Sequence, residues 1–438
     1  MRFVEIKEGE KVRIKVNGNY YEGIVMPKTK QSKENILVLK LPNGYNVGFD
    51  VKEIEEIITL GEKYEIKYLP REVKFEKIEG KPNISILGCG GTIASRVEYK
   101  TGAVIATFSP ADLISHFPEL GNIANINGRK IFDLMSEDMT PYHWKIISEE
   151  VYKEIKEGYD GVILTHGTDT MHFTSAALSF ALQDLSIPVI LVGSQRSSDR
   201  PSSDNYLNLL SAAYFIANSN ASEVLVCMHS STNDDSCFLH RGTRVRKMHT
   251  SRRDAFKSIN SLPLAQVNYF NKGIKYFLND YKKVDKNREV KLANDFNPNV
   301  CLIHVFPNIK PEFISSLSKL FDGVVLAVTG LGHVPTNYNN NPFTKSIINE
   351  IKNLIDSNIP VVIAPQTFYG RLNLKVYAPG RILLETGVIG DGLDWLPEVA
   401  FVKLSWVLAQ TKNMKKIEEM MHTNYANEFS IVSDVRNF

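Results

Sequence analysis

Ile84-Ser85-Ile86-Leu87-Gly88-Cys89-Gly90-Gly91-Thr92-Ile93-Ala94-Ser95 and Gly161-Val162-Ile163-Leu164-Thr165-His166-Gly167-Thr168-Asp169-Thr170-Met171 share one plan. Each opens on a short apolar run, the pattern of a strand covered on both faces. Each then breaks into a glycine turn that presents a threonine. In an open parallel sheet, ligands sit outside the carboxyl ends of the strands. Two threonines, an aspartate and pliant backbone at neighbouring strand ends suggest a hydroxyl nucleophile and acyl transfer.

Strand–helix alternation spreads outward from these segments. Pro188–Val192 and Val224–Met228 read as further strands, with helices over Pro141–Glu157, Met171–Leu182 and Asn205–Asn218. Thr140 followed by Pro141 suits a helix start. The pattern resumes with strands at Val300–Phe306, Gly323–Val328 and Pro360–Ala364. Helices are expected near Pro311–Leu320, Thr344–Ser357 and Pro397–Leu408. Such alternation predicts doubly wound α/β structure. Residues 1–60 differ. Val12, Ile14 and Val16 alternate with charged residues ahead of Asn17-Gly18, and Ile36–Leu41 precedes Pro42-Asn43-Gly44. Several short strands with hairpin turns predict a small β-barrel. The expected fold class is α/β, a small N-terminal β-barrel followed by a pair of α/β domains. The expected division is a barrel over 1–60, a connector over 61–82, an α/β domain with the active site over 83–271, an exposed connection over 272–298 and a second α/β domain over 299–438.

Composition narrows the functional classes. The chain has 438 residues, 43% apolar and 23% charged, and its formal net charge is only +2. These are the proportions of a globular protein of more than one domain, not of a polycation. Any nucleic-acid contact must come from a local patch. No apolar run reaches membrane-spanning or signal-peptide length, so a cytoplasmic protein without membrane contact is expected. The four cysteines, at 89, 227, 237 and 301, show no CxxC pairing. Neither a disulfide framework nor a metal site is expected.

Each candidate residue has a plain reading beside the chemical one. The glycines around Thr92 also suit a packing turn or a phosphate loop. A dinucleotide is disfavoured, because no G-x-G-x-x-G is present and Glu98 falls too soon to be the ribose-binding acid. Asp169 also suits the cap of the helix that follows. Thr-Asp-Thr nevertheless offers more capping groups than one helix needs. Lys247 lies in Arg244-Val245-Arg246-Lys247-Met248-His249-Thr250-Ser251-Arg252-Arg253, which on composition alone is a solvated or RNA-facing basic segment. A lysine desolvated beside an aspartate can instead shuttle protons.

Gly90-Gly91-Thr92-Ile93-Ala94, Tyr99-Lys100-Thr101-Gly102-Ala103-Val104, Ser136-Glu137-Asp138-Met139, Thr165–Met171 and Lys247-Met248-His249-Thr250 occur in the order seen in bacterial-type L-asparaginases. The resemblance covers about residues 83–412. The extra N-terminal module and the Arg241–Phe256 stretch make the chain similar, within that family, to the glutaminase subunits of archaeal glutamyl-tRNA(Gln) amidotransferases. The resemblance implies that Thr92 attacks the side-chain amide and that Tyr99 helps activate it. It implies that Thr168, Asp169 and Lys247 move protons and position water. Ser136 would hold the substrate α-carboxylate, and Glu137 with Asp169 its α-ammonium. Position 89 is Cys where the family usually has Thr, and position 137 is Glu where many free asparaginases have Gln. The implied substrate is glutamine, and the implied assembly is a homodimer within a heterotetramer. Its partner is a GatE-type subunit, and Glu-tRNA(Gln) is reached through the complex. No cofactor is implied on this chain; ATP and Mg would belong to the partner. The alternatives are a free-standing L-asparaginase, which has no reason to carry residues 1–80, and a catalytically silent binding or scaffold protein.

Overall fold

The computed structural model describes residues 6–28, 33–43, 45–63, 77–91, 95–97, 104–106, 117–197, 200, 202–434 and 436. The N-terminal module is an antiparallel sheet of β1 (Glu10–Val16), β2 (Asn19–Val25), β3 (Ile36–Lys40), β4 (Asn46–Asp50) and β5 (Ile54–Lys63), in the order β4-β3-β2-β1-β5. Period-two patterning explains it. Val12, Ile14 and Leu39 are fully buried, and they pack with Val16, Val25, Leu37, Phe49 and Ile54 into a core of the module's own. Asn17 and Gly18 take φ of 50° and 77°, and Val16 lies opposite Asn19, so a two-residue turn with both φ positive closes the first hairpin. The last strand runs past residue 60, the expected end of the module, to Lys63.

The second unit is built on an eight-stranded sheet. Its strands are β6 (Asn83–Gly90), β7 (Asn125–Leu134), β8 (Gly161–Thr165), β9 (Val189–Val192), β10 (Val224–His229), β11 (Cys237–Arg241), β14 (Ala265–Asn268) and β15 (Gly273–Tyr276). Outside this sheet, β12 (Val245–Lys247) and β13 (Phe256–Ser258) pair with each other. The sheet order is β15-β14-β11-β10-β9-β8-β6-β7. The pairs β7–β6, β6–β8, β8–β9 and β9–β10 are parallel, and the remaining pairs are antiparallel. From β6 the chain crosses to the edge at β7, then returns to β8 on the other side of β6. The switch point therefore lies between β6 and β8, where an open α/β sheet has its crevice.

Alternate residues of the central strands face different helices. Ile84, Ile86, Ile163 and Ile190 pack against α3 (Asn205–Asn218). Leu87, Val162, Leu164, Val189 and Leu191 pack against α1 (Pro141–Lys156) and α2 (Met171–Ala181). Helix α1 starts as Thr140-Pro141 predicts: Thr140 is extended, and His143 Nδ1 reaches back to the Thr140 N–H at 3.1 Å. Both faces being covered is why these strands read as continuous apolar runs.

The third unit has three parallel strands, β16 (Val300–His304), β17 (Gly323–Val328) and β18 (Val361–Pro365). One face carries α4 (Pro311–Ser316), α5 (Ile348–Asp356) and α6 (Ala378–Leu384). The other carries α7 (Pro397–Gln410), which also packs on α2 through Ala176, Ala177 and Phe180. The Phe180 ring stacks on Trp406 at 5.9 Å. Among the described residues no helix is long and apolar enough to cross a membrane.

The stretch 272–298 is not simply an exposed connection. Its first part forms β15, the sheet edge, with Ile274 and Tyr276 against the α3 core, and Lys291–Leu292 pairs with Leu182–Gln183. A half-covered edge strand needs only one apolar face, so its composition stays polar. Helix α8 (Met414–His422), absent from the sequence expectations, is capped by the Asn413 side chain accepting from Lys416 N–H. Its Ile417 and Met421 are its buried residues.

Among the described residues the N-terminal core shares none with the α/β cores. A chain starting at Lys81 should keep the near-ultraviolet circular dichroism of the α/β units and lose at most a few degrees in Tm. Loss of cooperative unfolding on this truncation would show that the modules fold as one.

Candidate active site

The site grows from a close approach of two turns. Gly91 follows β6 with φ of 83°, and its N–H donates to the Leu134 carbonyl at 3.1 Å. A Cβ built on Gly91 would stand 2.3 Å from the Gly167 nitrogen and 2.4 Å from its Cα. Real side chains do not tolerate such contacts, so only glycine lets these backbones touch. The turn after β6 thus rests on the turn after β8. Thr92 and Thr168 are the next residues of each turn in sequence. Thr92 itself lies outside the described residues, as does Tyr99. Tyr99 falls in sequence between the paired segments Ser95–Val97 and Val104–Ala106.

Thr168 and Asp169 leave β8 ahead of α2, and Lys247 ends β12. The Lys247 ammonium donates to Thr168 Oγ1 and to Asp169 Oδ1, each at 2.8 Å. Only 9% of the Lys247 side chain is exposed and Thr168 is buried, whereas the Asp169 side chain is 67% exposed. An ion pair this open contributes at most about 1 kcal/mol to stability. Its value lies in placement: a lysine held against a threonine hydroxyl sits where a proton can pass between them. The segment around Lys247 is therefore not a solvated basic run at this position. Asp169 does not cap α2. Thr170 is the residue before the helix, and its hydroxyl donates to the Ser136 carbonyl at 2.6 Å.

Ser136 and Glu137 lie on a short 3₁₀ turn after β7. Ser136 is buried against Gly167: a Cβ on that glycine would meet Ser136 Cβ at 2.7 Å and its Oγ at 2.9 Å. Glu137 is exposed on the same turn. The structure thus brings Thr168, Asp169 and Lys247 into direct contact and sets Ser136 beside their turn.

Several supporting residues stand outside the sequence expectations. His166 is buried, with Nδ1 2.7 Å from the Gly167 carbonyl and Nε2 2.9 Å from Thr174 Oγ1. Burial pushes its pKa down to about 4, so the ring is neutral. The Nδ1 proton then goes to the carbonyl, and Nε2 accepts from Thr174. Arg246 and Glu398 form a wall beside Lys247, with Arg246 Nε 2.8 Å from Glu398 Oε1. They line an open groove of about 530 Å³ together with Asp169, His172, Lys247 and His249. Only a helix periodicity that buries Glu398 in an apolar stretch hints at such a partner.

Cys89 is not poised for attack. It is buried with Leu87, Ile147 and Leu164, and burial pushes its thiol pKa up to about 12. A thiol held neutral in a core packs and does not react. Among the described residues no group of three or more His, Cys, Asp or Glu could hold a metal ion.

Three matches to known families cover most of the chain. The asparaginase N-terminal family matches residues 83–281, and the glutaminase/asparaginase C-terminal domain matches 299–421. The GatD N-terminal domain matches 6–60. The D subunit of glutamyl-tRNA(Gln) amidotransferase from Pyrococcus furiosus is 44% identical over 98% of this chain and 94% of its own. The D subunit from Methanopyrus kandleri is 43% identical over 96% and 91%. Among solved structures, the thermostable L-asparaginase from Thermococcus kodakarensis superposes with a TM-score of 0.69 at 31% identity, covering 80% of this chain and 99% of that one. L-asparaginase I from Vibrio cholerae gives 0.68 at 28% identity with the same coverage.

Burial also pushes the pKa of His172 down to about 4 and that of His240 to about 3. In the unfolded chain these imidazoles and His166 protonate near pH 6.5. Below that pH these three sites bind more protons in the unfolded state, so the stability they contribute is full above about pH 6.5 and is lost as pH falls toward 4. Tm should fall steadily below about pH 6.5, with a shallower fall in His240→Gln. A Tm unchanged between pH 7 and 4.5 would refute this.

Proposed function

Because the chain belongs to the family of D subunits of glutamyl-tRNA(Gln) amidotransferase, we propose that it is the glutaminase subunit of such an enzyme. The observation that carries this reading is Lys247 held 2.8 Å from both Thr168 Oγ1 and Asp169 Oδ1 at the sheet's switch point. In this reading the Thr92 hydroxyl attacks the side-chain amide carbon of glutamine, helped by Tyr99. Ammonia leaves as the γ-glutamyl ester forms. Water then cleaves the ester to release glutamate and restore the hydroxyl. Thr168, Asp169 and Lys247 supply the proton relay, since a lysine hydrogen-bonded to both a hydroxyl and a carboxylate lies on a path along which a proton can move. Backbone N–H groups near Thr168 stabilise the oxyanion. Ser136 receives the α-carboxylate, and Asp169 with Glu137 the α-ammonium; both acids are exposed and so open to a cation.

The ammonia would pass to a GatE-type partner that converts Glu-tRNA(Gln) to Gln-tRNA(Gln), using ATP and Mg held there. The assembly would be a homodimer within a heterotetramer in the cytoplasm. The free-asparaginase reading draws support from the solved structures, which align over 80% of the chain. It leaves the N-terminal sheet without a role.

Ammonia release should be measured with glutamine and with asparagine, for the chain alone, with its partner, and with partner plus Glu-tRNA(Gln). Glutamine hydrolysis that rises strongly with the full assembly supports the glutaminase subunit. Equal rates throughout, with asparagine preferred, would mark a free asparaginase.

Two substitutions test the residues. Thr92→Ala should cost on the order of 10⁴ in kcat, and Cys89→Ser should keep most of the activity. Lys247→Arg should fail, because a guanidinium does not give up its proton at working pH. Near-wild-type hydrolysis by Lys247→Arg would remove the lysine from the relay.

A further inference from the structure

Strand β12 is three residues long, and its side chains alternate between two domains. Val245 is buried in the first domain's core with Leu164, Met171 and Phe256, and Lys247 reaches Thr168 and Asp169. Arg244 and Arg246 reach the other way. The Arg244 Nε–H donates to the Asn427 carbonyl at 2.8 Å, and its guanidinium meets Ser430 Oγ at 2.8 Å and Asp394 Oδ1 at 3.3 Å. Arg246 pairs with Glu398 at the start of α7, and its guanidinium carbon lies 4.3 Å from the centre of the Phe368 ring.

These are costly contacts to build for stability alone. Arg244, Asp394 and Glu398 are all buried, and a buried ion pair must first offset the desolvation of both charges. Glu398 Oε2 has no hydrogen-bond partner among the described residues. Its carboxylate is only half satisfied and is aimed at the arginine beside the relay. Neighbouring atoms are tied to the same anchor: Thr243 Oγ1 donates to the Ala426 carbonyl at 2.8 Å, and Asn260 Nδ2 to the Asp394 carbonyl at 2.7 Å.

We propose that Arg246, braced by Arg244, is a positioning residue that sets Lys247 against Thr168 and Asp169 by fastening β12 to the second domain. The geometry of proton transfer then depends on how the second domain docks on the first. This rests on the reading of Lys247 as the proton carrier of glutamine hydrolysis. A misplacement of about 1 Å in a catalytic group can cost a large factor in rate without changing substrate affinity.

The test is the kinetics of glutamine hydrolysis by the full chain with its partner subunit, for Arg246→Gln, Arg246→Lys and Lys247→Ala. Arg246→Gln should lower kcat by about 10-fold or more while KM stays within about threefold. It should also change the shape of the pH–kcat profile. Arg246→Lys, which restores a cation to Glu398, should recover part of kcat. Tm should fall by only a few degrees, because Arg244 keeps the clamp. If Lys247→Ala is inactive while Arg246→Gln keeps wild-type kcat and pH profile, the positioning role is overturned and the reading of Lys247 stands. The role is also overturned if the kcat loss tracks Tm and vanishes at lower assay temperature. Wild-type activity in Lys247→Ala would instead remove the underlying reading.

Discussion

Everything at the site depends on one contact between backbones. A Cβ on Gly91 would stand 2.3 Å from the Gly167 nitrogen, so the turns after β6 and β8 meet only because Gly91 has no side chain. The same packing repeats outward. Gly167 rests on Ser136, and Gly193, after β9, rests on Thr168: a Cβ there would meet Thr168 Cγ2 at 2.7 Å. Four strand ends of the parallel sheet thus share one platform. The Lys247–Asp169 pair, whose carboxylate is exposed, adds little stability, so the platform holds the charges and not the reverse.

The second domain belongs to the site as much as the first. Helix α2 begins beside Thr168 and Asp169, lends Thr174 to His166, and lays Ala176, Ala177 and Phe180 on α7. Residues 421–430 are drawn into the same junction. Lys403 is fully buried and donates to Glu428 at 2.6 Å and to the carbonyls of Met421 and Thr423. That pins the segment whose Asn427 and Ser430 receive Arg244. A disturbance of the carboxyl-terminal segment therefore travels by few contacts to the strand that carries Lys247.

Much of the architecture was legible because local patterns are strong. Apolar runs such as Val162–Leu164 and Val324–Val328 announce strands covered on both faces. The alternation of Val12, Ile14 and Val16 announces a half-covered sheet. The Thr168–Asp169–Lys247 contact was not legible from pattern: the lysine is 79 residues from Thr168 inside a basic run, and only family resemblance joined them. Asp169 read equally well as a helix cap, and the backbone placed Thr170 there instead. The Arg244 and Arg246 anchors could not be foreseen, since their acids, Asp394 and Glu398, stand about 150 residues away. Residues 272–298 looked like a connector because an edge strand hides only one face, and here that face is Ile274 and Tyr276.

In the proposed reaction Thr92 carries the acyl group while the Cys89 thiol only packs. The most direct measurement is acid quenching of the protein with its partner during turnover of glutamine, followed by proteolysis and fragment-ion mass spectrometry. The predicted result is a γ-glutamyl ester on Thr92, absent when glutamate replaces glutamine. A γ-glutamyl thioester on Cys89, or an adduct on another residue with Thr92 unmodified, would contradict it.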